Sequence, residues 1–236
     1  TNGVMSITSS TSYREPDVLR TYDTPYYLRT YKVSEDSQLD FLMRQEVDFN
    51  NMVDSVEKYG GFYIGRYETG NLNQDVAVVQ KGNDDIGSRR WYAMYEKCKD
   101  LRGDNLNIKT GMIWGNQWDR TMQWLIESGA KTKEEVIRDS TSWGNYSNAT
   151  FQYTNSSGGT STKYSERAVR IPTGSTEYTK ANNIYDLAGN VFDWTMEAYS
   201  TDSRGARGGF YSYEGYGRPA SYRYYDYPDY SSNYNT

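Results

Sequence analysis

The first apolar positions with a sustained period are Leu42, Phe49, Met52, Val53 and Val56, which recur at helical spacing. Ser37-Gln38-Leu39-Asp40 ahead of them resembles a capping box with Asp in place of Glu, and Gly60-Gly61 supplies a stop. The pattern predicts a helix over about 38–59 whose apolar stripe is core. Phe62-Tyr63-Ile64-Gly65-Arg66-Tyr67-Glu68 alternates and is aromatic, which predicts a strand. Residues 69–87 read as a polar loop. Ser88 is placed to cap a second helix, on which Trp91, Met94, Tyr95, Cys98 and Leu101 share one face. Trp118, Thr121, Met122 and Leu125 form a third helical face, ended by Gly129. Thr132-Lys133-Glu134-Glu135 is a second capping-box pattern and predicts a short helix running into Ile137. Residues 140–168, rich in Ser, Thr, Asn and Gly, read as long surface loops.

Later in the chain the pattern shortens. In Asn183-Ile184-Tyr185-Asp186-Leu187-Ala188-Gly189-Asn190-Val191-Phe192-Asp193-Trp194, Asp186 and Gly189-Asn190 carry turn chemistry, and Val191, Phe192 and Trp194 are strand-like. Gly205-Ala206-Arg207-Gly208-Gly209-Phe210 leads into a final run with tyrosines at 211, 213, 216, 222, 224, 225, 227, 230 and 234. After Phe210 the chain has no Leu, Ile, Val or Met, so this run cannot bury an aliphatic core of its own. Tyrosine offers large, stiff, amphipathic contact at low entropy cost, and Ser, Gly and Asn add adaptable hydrogen bonding. The expectation is a scaffold displaying a recognition segment. With no internal repeat, residues 38–236 are expected to form one α+β domain, preceded by an N-terminal arm or strands over 1–37.

Composition narrows the function classes. Hydrophobic residues are 36% of the 236 and aromatics 16%, which points to a core built on Trp and Tyr. The net charge of −5 argues against phosphate-neutralising nucleic-acid binding and against a polybasic membrane contact. No apolar run approaches the roughly 20 residues of a membrane span. The lone Cys98 permits no internal disulfide and reads as a small buried hydrophobe. The chain has no His, which removes the commonest general base and metal ligand and leaves carboxylates such as Asp186, Asp193 and Glu197 as bases. Sequons stand at Asn145, Asn148 and Asn155.

Several stretches resemble one family in their order along the chain: Phe62–Glu68, Gly115-Asn116-Gln117-Trp118-Asp119, Trp143-Gly144-Asn145-Tyr146, Asn183–Trp194 and Arg207-Gly208-Gly209. They are similar to the formylglycine-generating-enzyme (sulfatase-modifying factor) family, and the similarity spans roughly residues 38–236. It implies a C-type-lectin-like fold, with helices around a small twisted antiparallel sheet and much irregular loop. The oxidases of that family hold copper on a cysteine pair shortly after the Gly-Gly motif. Residues 210–236 contain no cysteine, so oxidase activity is not expected to carry over. The family's closing Gly-Phe-Arg strand is also missing before Thr236, which suggests a truncated fragment and an unpaired neighbour in the sheet.

The chain most resembles the variable proteins of diversity-generating retroelements, found in phages and gut bacteria, whose C-terminal segment is rewritten at template adenines. The usual template codons, AAC and AAT, never yield Lys, Gln, Glu, Met or Trp. Residues 211–236 hold no Lys, Gln, Met or Trp, and Glu214 is the exception. The resemblance implies a non-catalytic ligand-binding protein on a cell surface or phage particle, with a variable region about 207–236. Its partner would be a protein or a cell-surface glycan. The expected ligand-binding residues are Tyr211, Ser212, Tyr213, Tyr216, Tyr222, Tyr224, Tyr225, Asp226, Tyr227, Asp229, Tyr230, Asn233 and Tyr234. About half of the nine tyrosines should face solvent, with Tyr211 partly buried. An oxidase of the formylglycine-generating type and a fixed glycan-binding domain are the alternatives. No cofactor is expected. The resemblance sets Asn190 and Asp193 near a calcium site, but a hydrogen-bonded turn at these residues is the preferred reading.

Overall fold

The computed structural model describes residues 35–228 apart from 74–75, 85, 88, 102–104, 106 and 201–202, and for 35–46, 198–200 and 203 the backbone alone. The expected N-terminal arm and the last four binding candidates, Asp229, Tyr230, Asn233 and Tyr234, lie outside the described residues.

The first helix, α1, spans Glu35–Tyr59 and ends at Gly60 in the left-handed region (φ 77°), whose N–H closes on the Val56 carbonyl. It begins three residues before the predicted start, so Ser37 lies inside it. The strand expected over 62–68 is not formed. Its backbone groups find partners one at a time: the Arg66 carbonyl accepts from the Tyr185 N–H (2.9 Å), and the Glu68 N–H donates to Thr173 Oγ1 (3.0 Å). Pairing starts only at β1 (Thr69–Gly70), which meets β2 (Val78–Val79) inside the stretch read as a loop.

Helix α2 (Trp91–Asp100) buries Trp91, Met94, Tyr95 and Cys98 as the spacing predicts. Its N-cap is Arg90 rather than Ser88, and the orphan N–H of Trp91 donates to the Pro228 carbonyl (3.0 Å). Helix α3 (Gly115–Glu127) buries Trp118, Thr121, Met122 and Leu125, and Gly129 follows at φ 73°. The short α4 (Lys133–Ile137) carries the predicted capping box: the Glu135 N–H donates to Thr132 Oγ1 (3.1 Å) and the Thr132 N–H to Glu135 Oε2 (2.8 Å).

Residues 140–168 are more ordered than their composition suggests. A 3₁₀ turn at Thr141–Trp143 buries Trp143, and β3 (Phe151–Thr154) pairs antiparallel with β4 (Thr160–Lys163). These strands are largely polar because one face is exposed; Phe151 and Lys163 form the buried end of the hairpin. The Lys163 ammonium is held there by the carbonyls of Tyr146, Ser147 and Ala149. A tighter hairpin joins β5 (Lys180–Ala181) to β6 (Ile184–Tyr185) through Asn182 and Asn183, both at positive φ as a type I′ turn requires.

The principal sheet has three antiparallel strands in the order β7 (Asp193–Ser200), β8 (Ser203–Arg207) and β9 (Arg223–Asp226). Arg223–Asp226, in the Tyr-rich run itself, pairs with β8 and stands at the end of this sheet among the described residues. The core is aromatic as expected. Trp91, Trp118, Trp143 and Trp194 are buried, and their indole N–H groups donate to the carbonyls of Thr195, Ala220, Glu135 and Arg89. The domain is thus α+β, with small antiparallel sheets and few helices among the described residues.

Candidate functional site

The site is built around the crossing from β8 into the Tyr-rich run. Gly208 and Gly209 both have positive φ (91° and 87°), and a Cβ at 209 would run into the Arg218 carbonyl oxygen. The Gly208 carbonyl accepts from the Gly189 N–H (2.7 Å) and the Tyr146 hydroxyl (3.0 Å). Beyond it the run is pinned along its length. The Tyr211 N–H donates to the Asn190 carbonyl (3.0 Å) and the Gly215 N–H to Asn148 Oδ1 (3.1 Å). The Ala220 N–H donates to Ser140 Oγ (2.9 Å). A sequence with almost no aliphatic residue is held in one conformation by contacts with residues 140–148 and 189–190.

The tyrosines stand on a platform of two buried rings. Phe192 and Phe210 stack with centroids 5.8 Å apart at an interplanar angle of 7°. Tyr211 and Tyr213 pack on Phe210 at 4.2 and 6.3 Å, and Tyr222 and Tyr224 on Phe192 at 6.5 and 5.2 Å. All four are half-buried. Arg218, delivered by a turn in which its N–H meets the Glu214 carbonyl (3.0 Å), lies over Tyr222, Tyr213 and Tyr224 at 4.2, 4.8 and 5.9 Å. Tyr216 and Tyr227 are the exposed members, at 56% and 57%.

Beneath β8 and β9 lies a buried charge network. Asp119 on α3 accepts from Arg207 on β8 through one carboxylate oxygen and from Arg223 on β9 through the other. Glu197 on β7 sits 2.9 Å from Arg223 Nε and 3.8 Å from Arg207 Nε. Burial, with Arg223 beside it, depresses the Arg207 pKa well below the ordinary guanidinium value. Tyr222 and Tyr224 flank Arg223, so the network anchors the backbone between them.

The structure thus brings together Tyr211, Tyr213, Tyr222 and Tyr224. Ser212, Tyr216 and Tyr227 are exposed, and Tyr225 and Asp226 are half-buried on β9. Two of the seven described tyrosines of the run are exposed and five half-buried, with Tyr211 among the latter as expected. Sequence reasoning missed the Phe192–Phe210 base and Arg218. The readable signal for Arg218 was an arginine among tyrosines ahead of Pro219, a proline that biases the preceding residue toward extended backbone.

The other candidate groups are engaged elsewhere. Asp186 accepts from Thr179 Oγ1 (2.6 Å), Thr173 Oγ1 (2.9 Å) and the Gly174 N–H (2.7 Å), although burial still raises its pKa. Cys98 is buried and its thiol is pushed up to about 12 by desolvation. Glu68 is buried, and desolvation followed by the charges of Asp186 and Asp193 raises its pKa well above the ordinary value. It shares a cavity of about 160 Å³ with Cys98, Trp118, Asp186 and Trp194, and no residue of 211–228 lines that cavity.

Asn190 sits at φ 58°, in the expected turn. Its Oδ1 already accepts from Asn145 Nδ2 (2.9 Å) and the Ile171 N–H (3.0 Å), so its amide oxygen does not fit a calcium ligand as placed. Among the described residues no group of three or more Cys, Asp or Glu side chains could hold a metal ion. Of the sequons, Asn145 is fully buried and Asn148 is bonded to Thr141 Oγ1 and to Gly215.

Compared with protein-family models, with curated proteins and with solved structures, the chain matches none.

Proposed function

We propose that this chain is a non-catalytic ligand-binding protein with a C-type-lectin-like fold of the formylglycine-generating-enzyme type. Its C-terminal segment, from about residue 207, is the binding surface, and a diversity-generating retroelement rewrites that surface. The observation that carries the reading is the layering of the Tyr-rich run. Half-buried tyrosines stand on the Phe192–Phe210 stack, and Tyr216 and Tyr227 project beyond them. The backbone under these side chains is tied to neighbouring backbone groups and to a buried ion network. Such a frame tolerates replacement of its outer residues, which a rewritten surface requires. A dense aromatic patch with polar groups around it suits recognition. The chain has no His, and Asp186 and Glu197, two of the three carboxylates named as bases, are engaged in hydrogen bonds and ion pairs.

The test is to sequence the 3′ end of the gene and its neighbourhood across a population of the source. A near-copy of the codons for 207–236 beside a reverse-transcriptase gene, with differences confined to template adenines, is the expected result. An invariant segment without a copy would overturn diversification and leave a fixed binding domain.

A further inference from the structure

We propose that the tyrosine surface holds its ligand by a carboxylate, which docks on Arg218, and that the ligand is a protein presenting an exposed Asp or Glu. The inference rests on the binding role proposed above and adds the chemistry of its centre. Arg218 is half-buried and lies against the faces of Tyr213, Tyr222 and Tyr224, within 5.9 Å of each centroid. Among the described residues no hydrogen bond or ion pair occupies its guanidinium, whereas Arg207 and Arg223 are both paired to Asp119. Ring faces restrain the flat of a guanidinium and leave its N–H donors at the rim, set for two parallel bonds to a planar anion. Holding the side chain among the rings also removes rotamer freedom before binding, which lowers the entropy cost of using it.

Charge and shape select the partner. Glu214 and Asp226 belong to the same run and the chain carries −5 overall, which disfavours a polyanionic phosphate ligand against a single carboxylate. The cavity of about 160 Å³ beside Glu68 lies among other residues than the tyrosines of the run. An open aromatic surface fits a protein face better than a small molecule, which takes a concave site.

The experiment is an NMR titration of the full chain at near-physiological salt, following the Arg218 Nε–Hε resonance assigned by its loss in Arg218→Lys. The probes are the peptide acetyl-(Gly-Glu)₄-amide, its (Gly-Gln)₄ counterpart, N-acetylneuraminic acid and inorganic phosphate. The expected result is a saturable shift with the Glu peptide that is at least about tenfold smaller with the Gln peptide, the difference a lost charge-assisted bidentate pair gives. The proposal is overturned by equal shifts with the two peptides, by no shift with the Glu peptide, or by saturation with phosphate or N-acetylneuraminic acid alone. The decisive readings come from the unsubstituted protein, so instability of Arg218→Lys does not obscure them. A silent Arg218 beside a retained retroelement template would sink this inference and leave the binding role standing.

Discussion

Removing the Asp119 carboxylate should unfasten the strand that carries the binding surface. Asp119 is 2% exposed and accepts from both Arg207 and Arg223, whose side chains are themselves fully buried. In Asp119→Ala, Glu197 is left as the single carboxylate of this network for two buried cations. Deleting one partner of a buried ion pair costs about 3–5 kcal/mol, because the remaining charge stays desolvated. Against a total stability of about 5–15 kcal/mol that is a large fraction. At about 2–4 °C per kcal/mol for a domain of this size, melting should fall by about 6–20 °C. Asp119→Asn keeps one acceptor oxygen and should fall between wild type and the Ala variant. Calorimetry gives the global number. Hydrogen exchange locates it, since β9 amides should lose more protection than those of α4, which lies outside the network. A melting shift below about 3 °C would refute the reasoning. So would a uniform loss of protection with no excess at β9.

Two further predictions concern the acid at the cavity and the exposed rings. Glu68 has a folded-state pKa above the ordinary 4.5, so the folded protein binds its proton more tightly than the unfolded chain. Its adverse effect is absent below about pH 4.5 and grows as pH rises from there to the folded-state value. Over that window the stability of Glu68→Gln relative to wild type should rise by about 1.4 kcal/mol per pH unit; a pH-independent difference in urea melts would show that the carboxyl is not perturbed. Tyr216→Ala and Tyr227→Ala together should move the melting point by less than about 2 °C and weaken ligand binding, because both rings are mainly in solvent. A large thermal loss in that double variant would assign these tyrosines to the core.

The chain by itself determined α2 and α3, because each buries a stripe whose period is local, whereas Phe49, Met52, Val53 and Val56 of α1 are only half-buried. Trp91, Met94, Tyr95 and Cys98 all sit where a 3.6-residue period puts them, and Thr132 with Glu135 closes the capping box that their spacing spells. It also determined the turn residues Asp186, Gly189 and Asn190, whose positive φ values suit side chains that tolerate the left-handed region. The aromatic character of the core was readable too, since few aliphatic residues were available to fill it.

Only the tertiary structure decided where pairing occurs. The aromatic alternation of 62–68 forms no ladder because its backbone groups meet loops from far along the chain, while the polar stretch 151–163 becomes a hairpin. Strand pairing depends on which segments fold alongside, and no local period records that. The same holds for the candidate site. Tyr222 and Tyr224 alternate with Arg223 in sequence, but Arg223 turns inward only because Asp119, 104 residues away, waits beneath the sheet. Arg218 gains its meaning from rings at 213, 222 and 224 that the chain brings together by folding the run back over Phe192 and Phe210. A sequence can show that tyrosines are abundant; the buried groups beneath them decide which ones face solvent and what stands among them.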